Sequence, residues 1–262
     1  MNSKFKTIAG LILISPFSMP AHSADILQDA RFIAGASLGY ANLSFAQKLD
    51  QDVNFPSMNL TVAGAWKRWQ LTLNGTFSLQ DAGISEEEDT GDASRQDIDL
   101  TLGYQLGDHW SLFGGYKDGS TDILFISREE SDGGASGRVT ERYQQYGPYA
   151  GASYAWSFEK AGRLSISLAY AKLNAKNLFG INTDSEEMDE ELEFDDIGGQ
   201  VTGDTEGFSY GISWTMPLSG NLLFQTRFKV NDYQQDITAQ GQEFKNIDES
   251  LTSLLVGLAY VF

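Results

Sequence analysis

The stretch Trp69-Gln70-Leu71-Thr72-Leu73-Asn74-Gly75-Thr76-Phe77-Ser78-Leu79-Gln80 alternates without a break between two kinds of side chain. Trp69, Leu71, Leu73, Phe77 and Leu79 share one face, with Gly75 among them, and Gln70, Thr72, Asn74, Thr76, Ser78 and Gln80 occupy the other. Successive side chains of an extended chain point to opposite faces, so period two marks a strand lying between two different environments. One such strand fits a soluble sandwich with a wet outer face. Recurrence at about 9–11 residues, the length a tilted strand needs to cross a membrane, separates a membrane barrel from that alternative.

The pattern recurs along the chain. Ile98, Leu100, Leu102, Tyr104 and Leu106 alternate with Asp97, Asp99, Thr101, Gly103 and Gln105. Leu164, Ile166, Leu168 and Tyr170 alternate with Ser165, Ser167, Ala169 and Ala171, and Phe208, Tyr210, Ile212, Trp214 and Met216 with Ser209, Gly211, Ser213 and Thr215. Leu222, Phe224, Thr226, Phe228 and Val230 face away from Gln225, Arg227, Lys229 and Asn231. Segments 31–46, 56–66, 110–122 and 142–157 keep the period less cleanly. The last segment carries Leu254, Val256, Leu258, Tyr260 and Phe262 on one face, against Ser253, Leu255, Gly257, Ala259 and Val261.

In that last segment the chain resembles bacterial outer-membrane β-barrel proteins, whose final strand carries alternating apolar residues and a terminal Phe. The resemblance is one of pattern along the mature chain, and no narrower family is assigned. It implies insertion by the barrel assembly machinery, with Leu258, Tyr260 and Phe262 as the signal read. The expected fold is all-β, a transmembrane antiparallel up-and-down barrel of about ten strands, with eight or twelve as alternatives. A soluble periplasmic sandwich is the competing fold.

Composition agrees with the barrel. The chain has 262 residues, 41% of them hydrophobic, and a negative mean hydropathy, because a barrel disperses its apolar residues in alternation. No cysteine is present, which excludes disulfides and thiolate metal sites. Against 18 basic residues stand 36 acidic ones, a formal charge of −18. Such a chain offers neither the basic surface that nucleic acid requires nor a polybasic membrane anchor.

The N-terminus reads as a leader. Lys4 and Lys6 precede an apolar core from Ile8 to Ile14, Ser15-Pro16 breaks it, and small residues follow at Ala21-His22-Ser23-Ala24. That core is about half the ~20 residues of a spanning helix. The expectation is a signal peptide over 1–24, cleaved after Ser23 or Ala24, followed by a barrel domain over 25–262.

Connections read as alternating in length. Short turns fall at Lys67-Arg68, Gly107-Asp108-His109, Glu159 to Gly162 and Leu218 to Asn221, and long ones at about 47–55, 81–95, 123–140, 176–205 and 236–249. Outer-membrane barrels place short turns in the periplasm and long loops outside, so both termini are expected in the periplasm. Trp66, Trp69, Tyr104, Trp110 and Trp156 flank the short turns as an aromatic girdle at headgroup level.

Parity then assigns a lumen. Turning Arg227 and Lys229 toward lipid would cost about 2–4 kcal/mol each at mid-bilayer, whereas Phe224, Phe228 and Val230 suit lipid. The basic pair therefore faces inward, as do Asp97 and Asp99, and these four are expected to form a charge network. Two states of that lumen remain open. In one, side chains fill a narrow barrel; in the other, Arg227 and Lys229 line an aqueous path that favours anions.

Two loops are strongly acidic, at Glu86, Glu87, Glu88, Asp89 and Asp92 and at Asp184 through Asp196. Like charges keep a segment solvated, and neither run has the spacing of a calcium loop, so no metal is expected. Segments 118–125 and 139–149 are expected to extend the wall as a hairpin about Gly133-Gly134 and Gly137, with Pro148 near a strand end or bulge.

Barrel proteases and acyl-transfer enzymes rely on histidine to move protons near neutral pH. His22 lies in the expected leader and His109 in a short turn, so neither catalysis nor a cofactor is expected. Function is read as a structural or small-solute permeability role. The alternative is a cell-surface interaction protein acting through acidic extracellular loops. Expected partners are outer-membrane lipid, lipopolysaccharide and the assembly machinery, without nucleic acid, for a monomer in a Gram-negative outer membrane.

Overall fold

Each alternating segment is a strand in the computed structural model, which describes residues 30–45, 53–86, 89–126, 138–159, 161–179, 199–239 and 242–262. The strands are β1 (Ala30–Phe45), β2 (Val53–Trp66), β3 (Trp69–Ser78), β4 (Ala82–Glu86), β5 (Asp89–Gln105), β6 (Trp110–Ile126), β7 (Arg138–Phe158), β8 (Gly162–Phe179), β9 (Gly199–Ser219), β10 (Leu222–Ala239) and β11 (Gln242–Val261). Every pairing is antiparallel, most of them between neighbours in the chain, and β1 joins both β2 and β11. Both β3 and β4 lie along β5, with Phe77 opposite Gln96 and Ala82 opposite Ala93, so together they make one stave. The result is a closed up-and-down barrel of ten staves. The expected leader lies outside the described residues.

Glycine brings the strands close at the seam. A Cβ on Gly39 of β1 would overlap the Leu254 carbonyl of β11, and one on Gly257 would overlap the Ala36 carbonyl. The same close approach recurs along the wall, as where a Cβ on Gly203 of β9 would overlap the Asp236 carbonyl of β10, so glycine lets the backbones lie close both at the seam and elsewhere.

The strands are longer than a bilayer requires. β7 and β9 each run to 21 residues, about twice the ~9–11 of a membrane crossing. Their chemistry changes over part-way along. On β9, Phe208, Tyr210, Ile212 and Trp214 point outward and are exposed, the signature of a lipid-facing band. Beyond Gly207 the outward residues become Glu206 and Asp204, while inward Thr205 and Val201 are buried. β8 repeats the exchange: Leu164, Ile166, Leu168 and Tyr170 face out, then Lys172, Asn174 and Lys176, with Ala171, Leu173 and Ala175 packed inside. One end of the barrel is thus polar inside and apolar outside, and the other end is the reverse.

That second end encloses an apolar core. Leu43, Phe55 and Ile123 are 0%, 0% and 1% exposed and pack with Val53, Ile84 and Ala93. Smaller groups, Val201 with Ile237 and Ala171 with Leu173 and Tyr233, continue it around the wall. Gln145, Asn177, Thr205 and Gln235 are buried among them.

Several expected loops are strand. The segment read as a loop from 81 to 95 is the β4–β5 hairpin, and 236–249 is mostly β10 and β11, joined across two residues. Connection length therefore does not alternate strictly, because acidic and polar residues on the outer face of an extension resemble loop composition. The wall extension at 118–125 and 139–149 continues to Ile126 opposite Arg138. Pro148 lies inside β7, not at its end, where the ladder to β8 is interrupted between Tyr146 and Tyr149. The acidic run at 184–196, with Glu87, Glu88, Gly133-Gly134 and Gly137, lies outside the described residues.

Candidate functional site: a charged chamber in the lumen

Alternation on ten staves aims every second side chain at the barrel axis, and in the polar half those side chains enclose a cavity of about 240 Å³. β5 contributes Asp97, Asp99 and Thr101, β6 contributes Lys117, β7 Tyr149, and β10 Arg227, Lys229, Asn231 and Tyr233. The four residues expected to form the lumen network, Asp97, Asp99, Arg227 and Lys229, all line this chamber.

The charges pair differently from the expectation. Arg95, two residues before Asp97 on β5, donates from Nε to Asp97 Oδ2 at 2.9 Å and from Nη2 to Asp97 Oδ1 at 2.9 Å. Its Nη1 donates to Thr121 Oγ1 at 2.9 Å and lies 4.0 Å from Glu249 Oε1. Gln145 Nε2 donates to the second Glu249 oxygen at 2.6 Å. Arg95 and Glu249 are buried, so this layer roofs the chamber just below the apolar core. Lys117 sits with Nζ 4.9 Å from the centre of the Tyr233 ring, within cation–π range. The Tyr233 hydroxyl lies 2.9 Å from Ser209 Oγ, which donates to Asn231 Oδ1 at 2.7 Å. Thr101 and Tyr149 share a short hydroxyl contact.

The basic pair on β10 has no such company. Arg227 Nη1 reaches Asn74 Oδ1 at 3.5 Å. Among the described residues, Asp99, Arg227 and Lys229 make no direct ion pair. Asp97 directs both hydrogen bonds to Arg95 of its own strand while still lining the cavity that Arg227 and Lys229 face.

Arg95, Lys117 and Glu249 were not singled out in the sequence, although each has the inward parity of its strand. Arg95 fell inside the segment read as an acidic loop, and Glu249 inside another. The signal that would have found them is continuity of parity from Asp99 through Asp97 to Arg95, and from Ser253 through Leu251 to Glu249.

The girdle residues gather at the end with the short turns. Trp66 and Trp69 pair across Lys67-Arg68, where Lys67 adopts the left-handed conformation (φ 53°) and carries Nζ 4.7 Å above the Trp66 ring. The Trp69 and Tyr104 rings lie 4.6 Å apart, and Tyr154 stands between Trp110 and Trp156 at 4.9 and 4.8 Å. His109 stacks on Tyr154 at 5.4 Å, with Nδ1 donating to the Ala155 carbonyl at 2.8 Å. Leu258, Tyr260 and Phe262 face outward and are exposed, the last two in ring contact at 5.0 Å.

Beyond the lipid-facing band, the outer wall is held by polar cross-strand pairs. Asp122 of β6 pairs with Arg142 of β7, and its hydrogen bond and charge hold the guanidinium above its ordinary pKa. Gln144 donates to Asp118 at 2.9 Å, and Gln234 to Asp248 at 2.9 Å. Among the described residues, no group of three carboxylate or imidazole side chains is placed to hold a metal ion.

Neither a protein-family model nor a curated protein matches the chain by sequence. Solved structures do resemble it. The outer membrane protease OmpT from Escherichia coli is similar over 89% of this chain and 96% of that one, at 13% identity and a TM-score of 0.51. The translocator domain of the autotransporter NalP from Neisseria meningitidis covers 91% of each chain at 13% identity and a TM-score of 0.49. The outer membrane protein OprG from Pseudomonas aeruginosa covers 89% of this chain and 96% of that one, at 13% identity and 0.38. The shared feature is the fold, which is that of bacterial outer-membrane β-barrels.

Proposed function

We propose that this protein is a closed outer-membrane barrel with a structural role in the envelope, not a solute pore. The carrying observation is the complete burial of Leu43, Phe55 and Ile123 inside the barrel. Side chains lining a water-filled bore are accessible to water; these are not, and an apolar plug several residues deep opposes the passage of ions. In this reading the turn end and both termini face the periplasm, and the extended end stands outside the cell among lipopolysaccharide headgroups. The chain acts as a monomer inserted by the barrel assembly machinery.

The test is single-channel recording in planar bilayers. A baseline without steps is expected; steady steps whose size follows salt concentration would overturn the reading.

A second reading is favoured by the wall itself. Strands that continue well past the lipid band, with a packed interior and cross-strand pairs such as Asp118–Gln144 outside, form a rigid platform above a membrane. Such a platform suits a surface interaction made by the segments it carries. Deleting residues 180–198 while the barrel still folds should abolish cell or ligand binding in this reading and leave it unchanged in the first.

The proposal includes no enzymatic activity. It is supported by the position of His109, which spends Nδ1 on a backbone carbonyl at the turn end, away from the charged chamber. Incubation with peptide and lipid substrates is expected to yield no turnover above buffer.

A further inference from the structure

We propose that the lumen chamber binds one small anion, a halide or an oxyanion of phosphate or carboxylate size, between Arg227 and Lys229. The site goes beyond the structural role above and stands whether or not the loop end conducts.

Charge counting gives the first reason. Three cations line the chamber, Lys117, Arg227 and Lys229, against two carboxylates, Asp97 and Asp99. The roof adds one group of each sign, Arg95 and Glu249. With or without the roof, one positive charge lacks a counter-charge. An uncompensated charge inside a protein is costly, and a mobile anion is the means of compensation that the cavity allows. This positive interior belongs to a chain whose formal charge is −18.

Geometry locates the charge. Asp97 is committed to Arg95 by two hydrogen bonds, and Lys117 rests against the Tyr233 ring. The remaining cations are Arg227 and Lys229; two carboxylates, Asp97 and Asp99, line the chamber with them, and among the described residues neither cation forms an ion pair with either. Arg227 carries five N–H donors and, among the described residues, makes one long hydrogen bond, 3.5 Å to Asn74. Two residues apart on one strand face, the guanidinium and ammonium groups start about 7 Å from each other, so both can converge on one small ion.

Room and access complete the case. A volume of about 240 Å³ holds several waters at about 30 Å³ each, and so a partly hydrated anion. A second cavity of about 60 Å³ shares Ser213, Arg227 and Leu255 with the chamber and is further lined by Ser37, Thr215 and Gln225. These residues lie toward the turn end, which gives the anion a hydroxyl-lined approach from that side while the apolar core closes the other.

Chloride line broadening in ³⁵Cl NMR tests this on the full chain folded in detergent, with sodium acetate and inorganic phosphate as competitors. The wild-type barrel is expected to broaden the line in excess of an Arg227→Gln/Lys229→Gln barrel, and either competitor should reverse that excess. Asp99→Asn removes the opposing charge and should strengthen binding about fivefold, the effect of one partly screened charge. Folding of each variant is read from its gel mobility with and without heating. Equal broadening by wild type and double variant would mean surface association only and would overturn the proposal, as would an Asp99→Asn barrel that binds no more tightly. If the double variant does not fold, Lys229→Gln and Asp99→Asn must still move binding in opposite directions; movement in the same direction also overturns it.

Discussion

Arg95 and Asp97 stand two residues apart on one strand, both turned into the barrel, and meet through two hydrogen bonds of 2.9 Å each. The pair forms within β5, so the principal carboxylate partner of the buried Arg95 comes from its own strand. Asp97→Leu would leave Arg95 buried with Glu249 at 4.0 Å as its nearest carboxylate. Removing one member of a buried pair costs about 3–5 kcal/mol. Urea unfolding in lipid vesicles should show a loss of that order for Asp97→Leu, and a smaller one for Arg95→Met/Asp97→Leu.

Phe55 is fully buried at the loop end. Phe55→Ala should lower stability by about 3–5 kcal/mol through lost burial and the cavity left behind. The same measurement on Leu60→Ala, which changes an exposed lipid-facing side chain, should give a clearly smaller loss.

The seam supplies a folding test. Gly39→Val places a side chain against the Leu254 carbonyl, and the heat-modifiable gel shift of a folded barrel is expected to disappear. A Cβ on Gly83 would meet nothing within 4 Å, so Gly83→Ala should fold like the wild type and serve as the control.

Much of this barrel was legible from alternation alone, because lipid punishes any error in it. The outward faces of Trp69–Phe77, Ile98–Tyr104 and Leu254–Phe262 were assigned from period two, and the same parity turned Asp97, Asp99, Arg227 and Lys229 inward. The extension was not legible in the same way. There Lys172, Asn174 and Lys176 face water outside while Ala171, Leu173 and Ala175 pack inside, so the sequence still alternates but with the phase reversed. A reader following apolar residues outward sees the pattern dissolve at Tyr170 and infers a loop. Pairing is a different kind of loss. Parity says that Asp97 faces the lumen, but whether it meets Arg95 or Lys229 depends on rotamers and on the barrel's cross-section, which spacing does not encode.

The phase reversal can be checked residue by residue on β8. Leu168→Arg lies in the lipid-facing band and should cost about 2–4 kcal/mol, while Asn174→Arg, beyond it, should stay within about 0.5 kcal/mol of wild type. Comparable costs at the two positions would place the upper boundary of the hydrocarbon elsewhere.

That boundary gives the barrel a draught, like a hull's. If it sinks by one pair of residues, Lys172 and Glu206 go under; if it rises by as much, Trp69 and Trp110 leave the headgroups at the other edge. Both displacements are opposed, so the distance between the two edges is a gauge of the bilayer that the chain was shaped to fit. In a thicker membrane the lipid must thin around it or the staves must tilt less, because neither waterline can be moved without rewriting the sequence.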